Sequence, residues 1–272
     1  MKIHFCIRGR LGNAIFRYLA SAIMCIITDS QYVCNNSTTN IINELSDDVF
    51  YKICETLLNN TYNSKIINNS IDLKMSGFYQ HDAIYKKYKK EIIEFIKNNN
   101  SHYVITDGIK AGDNNCEKYN MLDIINTPST FSKIYKNVLH LRLEDFVTHN
   151  LFIPVNRIIS LFEKNIINVE AGDTLCIVCN QINKPFEYEY INQLKFFLEV
   201  HKKIHIIIES NDTITDYYIM KEAINLICSK STLSWIAAFF STNIQKCYMP
   251  NYEESINSTC KYPIAKESTF LY

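Results

Sequence analysis

Lys2-Ile-His-Phe-Cys-Ile-Arg-Gly9-Arg10-Leu11-Gly12-Asn13 opens the chain. The run from Lys2 to Arg8 is apolar and strand-length, and Gly9 to Gly12 reads as a tight turn. Asn13 suits an N-cap, and residues 14–27 carry apolar side chains at helical spacing. The succession is a β-loop-α unit. Outward from it, residues 30–75 are polar and Asn-rich with short apolar pieces. Tyr79–Lys97 reads as an amphipathic helix with Ile84, Ile92, Ile93 and Ile96 near one face, ended by Asn98–Asn100. From about residue 135 the pattern becomes regular. Asn137–Leu143, Thr174–Cys179, Ile204–Glu209 and Ile224–Cys228 read as strands. Val155–Phe162, Tyr188–His201 and Ile214–Glu222 read as helices, and another begins at Ser231. Strands alternating with helices predict an α/β fold with parallel sheets covered on both faces. One such unit begins at residue 2 and a second near 137. The expected division is an N-terminal lobe over 1–133, a C-terminal lobe over 134–250 and a tail over 251–272, with Pro128-Ser-Thr as the linker.

Composition narrows the classes. The chain has 272 residues, 47% of them hydrophobic, enough for one large core or two smaller ones. Its 28 basic residues balance 28 acidic ones, which argues against general nucleic-acid binding but leaves room for a local anion site. Ten cysteines are present, and Cys176-Ile-Val-Cys179 forms a C-x-x-C. That run reads as a buried strand, whereas a redox motif sits at a helix start and a zinc site needs a second pair. The first residues do not read as a secretory signal, and no uninterrupted apolar run approaches the ~18 residues that span a bilayer. A soluble, cytoplasmic chain without disulfides is the expectation.

Four segments carry residues suited to chemistry. The Gly9–Gly12 turn lets backbone amides approach a ligand, and the helix start that follows favours negative charge. Arg10 adds a cation, although a plain turn with Arg10 in solvent fits equally well. At the end of the strand that opens the second unit, alternation puts His140, Arg142 and Glu144 on one side and Leu139, Leu141 and Leu143 on the other. Ligands of α/β sheets bind beyond the carboxyl ends of strands, where Arg142 suits a diphosphate. An Arg–Asp surface pair with Asp145 is the plainer alternative. Asn211 and Asp212 follow another strand. They suit a ribose or a base edge, or an Asx turn capping the next helix. Ser231, Thr232 and Ser234 cluster at the last helix start, beside Trp235, the only tryptophan. They suit a phosphate or a simple N-cap.

Taken in order, these segments resemble the GDP-fucose-dependent α-1,2-fucosyltransferases, glycosyltransferase family 11, and more distantly the protein O-fucosyltransferases and α-1,6-fucosyltransferases. Gly9-Arg-Leu-Gly-Asn-Ala-Ile-Phe-Arg-Tyr-Leu-Ala is similar to the family's G-x-L-G-N-Q-x-F-Q-Y-A. Ser76-Gly-Phe-Tyr-Gln80 is similar to its G-Y-x-Q-S-x-x-Y-F element, His140-Leu-Arg142 with Asp145 to H-x-R-R-G-D-Y, and Ser210-Asn-Asp212 to S-D-D. The stretch from Asp216 through Ser231-Thr-Leu-Ser-Trp-Ile-Ala-Ala238 resembles the family's last long motif, and Pro250-Asn-Tyr252 its closing P-x-W/Y. The resemblance implies a GT-B-like fold of two Rossmann-type lobes whose parallel sheets face across a cleft. It implies an inverting, metal-independent transfer of fucose from GDP-fucose to a sugar hydroxyl, most readily in α-1,2 linkage, with no cofactor. Donor contacts would fall on Arg10, Gly12, Asn13, Gln80, His140, Asn211, Asp212, Ser231, Thr232 and Ser234. Arg142 would be catalytic, with Asp145 as base or as its orienting partner. The expected partners are a nucleotide-sugar donor and a glycan acceptor, with no nucleic acid and no membrane span.

The sequence departs from the pattern at Ala14, Arg17, Leu143, Glu144, Asn211, Lys230 and Ile236. These departures leave open another nucleotide sugar, or a GDP-binding protein with impaired catalysis. An NAD-dependent oxidoreductase built on the first unit is opposed by the missing third glycine. No D-x-D occurs, and Glu187-Tyr-Glu189 reads as a solvated helix start.

Overall fold

Eighteen residues, Leu11–Thr28, form a helix whose apolar side chains are buried nearly all the way round. In this computed structural model, which describes residues 1–5, 9–34, 43–59, 72–75, 77, 79–80, 82–106, 116–148, 151–251 and 269–272, the chain divides into two units. The first lies within residues 1–126 and the second runs from Thr127 to Asn251 and takes in the last described residues.

The first unit opens with β1 (Lys2–Phe5), helix α1 (Leu11–Thr28) and β2 (Gln31–Cys34), followed by β3 (Asn43–Leu45), α2 (Asp47–Leu58) and β4 (Leu73–Met75). These strands form a parallel sheet in the order β2-β1-β4-β3. α1 starts at Leu11 with Arg10 as its N-cap, three residues earlier than the Asn13 cap expected. The turn at Gly9, with φ +85°, releases the chain directly into the helix. By length and composition α1 is long and apolar enough to cross a membrane, yet 83% of it is buried within the protein, as befits a core helix. Arg17, also on α1, is fully buried.

Beyond β4 come α3 (Asp82–Lys87) and α4 (Lys89–Asn98), then the antiparallel pair β5 (Tyr103–Ile105) and β6 (Lys118–Asn120) and the short α5 (Met121–Ile125). The single helix expected over Tyr79–Lys97 is thus two, broken at Tyr88, and Tyr79 stands outside both with φ +56°. Its hydroxyl explains why it holds that conformation. It accepts from the Gly77 amide at 2.8 Å and donates to the Leu45 carbonyl, while the Tyr79 amide donates to Asp47. A Cβ at Gly77 would stand 2.6 Å from the Asp47 carboxylate, so a larger residue there has to displace that side chain.

The second unit contains β7 (Asn137–Leu141), α6 (Glu144–Thr148), α7 (Val155–Glu163), β8 (Thr174–Cys179), α8 (Pro185–Phe196), β9 (His205–Glu209), α9 (Thr213–Glu222), β10 (Asn225–Ile227), α10 (Thr232–Phe240), β11 (Lys246–Met249) and β12 (Thr269–Leu271). All six strands are parallel, in the order β9-β8-β7-β10-β11-β12. The order grows outward from β7 to β9, returns to β10 beside β7, and grows the other way. One face of the sheet, with Leu139, Leu175, Ile177 and Cys179, packs on α7 and α8 through Ile158, Phe162, Tyr190, Ile191 and Leu194. A π turn at Phe197–His201 closes α8. Cys176 and Cys179 lie buried on β8, and burial raises both thiol pKa values, Cys179 to about 12. Two α/β units with parallel sheets are the fold class that the strand–helix alternation predicts.

Candidate functional site

In a doubly wound sheet the crevice opens where strand order reverses, beyond the carboxyl ends of the two central strands. In the second unit those strands are β7 and β10. β7 is fully buried and ends at Leu141, two residues before the expected Leu143. His140 is its penultimate residue, 5% exposed. β10 leads into Cys228-Ser229-Lys230, and the Ser229 hydroxyl meets His140 Nδ1 at 2.9 Å. The reversal point is therefore bridged by a buried hydrogen bond between residues 89 positions apart. Burial, then the positive charge of Arg142, lowers the His140 pKa to about 3, so the imidazole is neutral.

Arg142 leaves the strand immediately after it and is clamped in place. Its Nε and Nη2 donate to the two carboxylate oxygens of Asp145 at 2.9 and 3.1 Å, the bidentate geometry favoured by guanidinium. Asp145 reaches it because α6 begins at Glu144 and spaces the pair three residues apart. The guanidinium also stands 5.2 Å from the centroid of the Phe146 ring. With its side chain 16% exposed, Arg142 is more enclosed than the surface pair considered from sequence. It lines a recess with Leu141, Leu143, Phe152, Ser229 and Lys230. Arg142 and Lys230 are the basic residues of its lining, and leucine and phenylalanine are among the apolar ones.

The start of α10 adjoins Lys230. Ser231 is its N-cap, accepting from the Leu233 amide at 3.3 Å, and the Ser234 hydroxyl donates back to the Ser231 carbonyl at 3.0 Å. Both hydroxyls are buried in capping and Thr232 is half-buried. What this terminus offers is its first-turn amides and the positive end of the helix dipole.

Asn211 and Asp212 do different work. Asp212 caps α9, accepting from the Thr215 amide at 2.8 Å. Asn211 sits in a network at the end of β9. Its carbonyl accepts from Lys133 at 2.8 Å, and its amide donates to Glu209 at 3.1 Å and to Asp216 at 3.0 Å. Glu209 is further held by Lys133 at 2.8 Å and by the Tyr135 hydroxyl at 2.6 Å. Burial raises the Asp216 pKa to about 7, against the hydrogen bonds from Asn211 that lower it. Glu209 is also pulled up by burial, but Lys133, Tyr135 and Asn211 reverse that and leave it below the usual carboxylate range.

The first-unit candidates gather at the equivalent reversal point, between β1 and β4. Arg10, Gly12 and Asn13 belong to the turn and first residues of α1, and Gln80 to the segment after β4. Gln80 Nε2 donates to Asn13 Oδ1 at 3.3 Å, and the Asn13 side chain lies against Gly9. Ser76, Phe78, His81 and Tyr252 fall outside the described residues.

Glu187 is not solvated as the E-x-E reading expected. It is 1% exposed, and its Oε2 accepts from the Asn183 and Lys184 amides at 2.9 and 3.1 Å, tying down the start of α8 behind Pro185. Ser229 and Asp216 carry no signal of their own in the sequence, although both stand within the motif that runs from Asp216 to Ala238. Only the strand order joins Ser229 to His140, and no local spacing signals it.

No protein-family model matches the sequence, and no curated protein matches it. The chain is similar to two solved structures. One is a mutant of Arabidopsis thaliana FUT1 in complex with GDP, at 10% identity and TM-score 0.43, with 87% of this chain and 67% of that chain covered. The other is E. coli heptosyltransferase WaaC with ADP, at 9% identity and TM-score 0.43, with 100% of this chain and 92% of that chain covered.

Proposed function

We propose that the protein is a glycosyltransferase that draws its sugar from a nucleoside-diphosphate donor, GDP-fucose in the sharpest form of the reading. The observation that carries it is Arg142, held by both oxygens of Asp145 at the reversal point of a doubly wound sheet, in one recess with Ser229 and Lys230. Breaking a sugar–diphosphate bond leaves negative charge on the departing phosphates and builds positive charge on the ring. Arg142, Lys230 and the first-turn amides of α10 suit the first of these. Neutral His140, bonded to Ser229, supplies shape and hydrogen bonding without adding repulsive charge near Arg142. Asp145, with both oxygens on Arg142, is an orienting group in this reading. The ordered resemblance of the Gly9, His140 and Ser231 segments to fucosyltransferase motifs supports GDP-fucose and α-1,2 linkage.

The test is release of GDP from GDP-fucose, against GDP-mannose and UDP-sugars, with a panel of glycan acceptors. Arg142→Ala is expected to lower turnover on the order of 10²–10³-fold with the circular dichroism spectrum unchanged. Near-normal turnover in that variant removes Arg142 from the mechanism. A second reading, a nucleotide-binding protein without turnover, is favoured by the engagement of Asn211 with Lys133, Glu209 and Asp216. GDP binding by calorimetry, with no release from any donor, selects it.

A further inference from the structure

Strand β9 ends the six-stranded sheet and, among the described residues, pairs only with β8. Its backbone groups alternate in direction. The Lys203 carbonyl accepts from Gly172 at 2.8 Å and the His205 amide donates to Asp173 at 2.9 Å, so the odd-numbered residues turn their polar groups toward β8. Ile206 and Ile208 turn theirs toward the open side. Native edges are commonly blunted by proline, a bulge or a charge within the strand. β9 reads His-Ile-Ile-Ile-Glu, with its charges at the ends. Ile207 and Ile208 lie on opposite faces of the sheet, and each is 39% exposed. The π turn packs beside β9 and carries exposed Val200, with exposed Phe196 just before it.

We propose that this edge pairs with the same edge of a second copy of the chain, antiparallel about a two-fold axis through Ile207, to make one continuous twelve-stranded sheet. The occupant follows from the strand's own complementarity. Lys202 and Lys203 stand at its start and Asp212 beyond its end. Antiparallel pairing centred on Ile207 sets Lys202 of each copy opposite Asp212 of the other, so the basic start of one strand meets the acidic end of its copy. A parallel arrangement sets like against like. The same centre fits the hydrogen bonding. Ile206 faces Ile208 of the second copy, and these are the residues whose amides and carbonyls point outward, so each pair exchanges both bonds. Ile207, whose polar groups are spent on β8, faces its own copy in the closer, non-hydrogen-bonded position. A two-fold contact of this kind is isologous and closes at two chains.

The test is sedimentation equilibrium of the full chain, with a cross-linking experiment on the register. The mass of the wild type is expected to fall by half on dilution. Ile207→Lys sets two ammonium groups against each other at the axis and is expected to leave single chains at every concentration. Ile207→Cys is expected to form a disulfide-linked dimer under mild oxidation, because a non-hydrogen-bonded pair brings the two Cα atoms to about 4.5 Å. Ile208→Cys, displaced from its own copy by two residues, is expected to cross-link no more than the wild type does through exposed Cys116. A wild type that stays a single chain at all concentrations overturns the proposal. So does dimerisation by Ile207→Lys, or equal cross-linking by the two cysteine variants. Should Ile207→Lys misfold, the cysteine pair still decides.

Discussion

The two units place their candidate residues at the same topological position and equip it with opposite chemistry. In the first, the reversal point between β1 and β4 is spanned by neutral amides, Asn13 and Gln80, at 3.3 Å. In the second, the reversal point between β7 and β10 is spanned by a histidine and a serine, with an arginine–carboxylate clamp two residues beyond the histidine. The scaffolds differ too. The first sheet has strands of three or four residues and leans on one buried helix, while the second has six strands, the longest of six residues. Parallel winding fixes where a site opens, and the side chains at that opening decide whether it answers to pH and charge.

The contrast breaks most sharply at His140. The unfolded chain takes up a proton on this imidazole near pH 6.5, but the fold keeps it neutral to about pH 3. Its contribution to the second unit is therefore complete above pH 6.5 and is lost as the pH falls from there toward 3, at about 1.4 kcal/mol per pH unit. Trp235, the only tryptophan, is buried in α10 and reports this unit by fluorescence. His140→Gln is expected to flatten the acid slope of the denaturation midpoint, and an unchanged slope removes His140 as its source.

A smaller effect is expected in the first unit. Tyr79→Phe strips the hydroxyl from the Gly77 amide and the Leu45 carbonyl and is expected to cost about 2 kcal/mol. The readout is faster hydrogen exchange at the α2 and β4 amides than in the wild type at the same pH.

The smallest shift sharpens the comparison within the second unit. Asp216 has its pKa raised to about 7, so its contribution is present below about pH 3.9 and is lost as the pH rises through 7. Asp216→Asn is expected to raise the midpoint by a few degrees above pH 7, equivalent to about 1 kcal/mol, and to change little at pH 4. Between pH 4 and 6.5 the Asp216 and His140 slopes oppose each other, so the single variants expose what the wild type conceals.

Much of the second unit was legible in sequence because its strands are continuous apolar runs. Thr174–Cys179 is a strand to the residue, and Ile204–Glu209 differs from β9 by one. Boundaries set by tertiary contact were not legible. α1 begins at Leu11 because the turn at Gly9 delivers the chain there, whatever the capping preference of Asn13. The expected helix over Tyr79–Lys97 loses its first turn to the Tyr79 hydrogen bonds. Within the candidate site, Arg142 and Asp145 were readable as neighbours three residues apart, and the Ser231 cap as a local motif. The His140–Ser229 bond and the Lys133–Asn211–Asp216 network join residues far apart in sequence, so they become visible only once the strand order is known.

The burial of α1 also sets a condition on how the protein is made. Its packing partners include β2 and β5, and β5 ends only at Ile105. During translation at ~5–20 residues per second, roughly 4–15 s separate synthesis of the helix from synthesis of that strand. Through that interval the apolar residues of the helix lack the strand that completes their burial, so the segment is exposed to association until β5 is made.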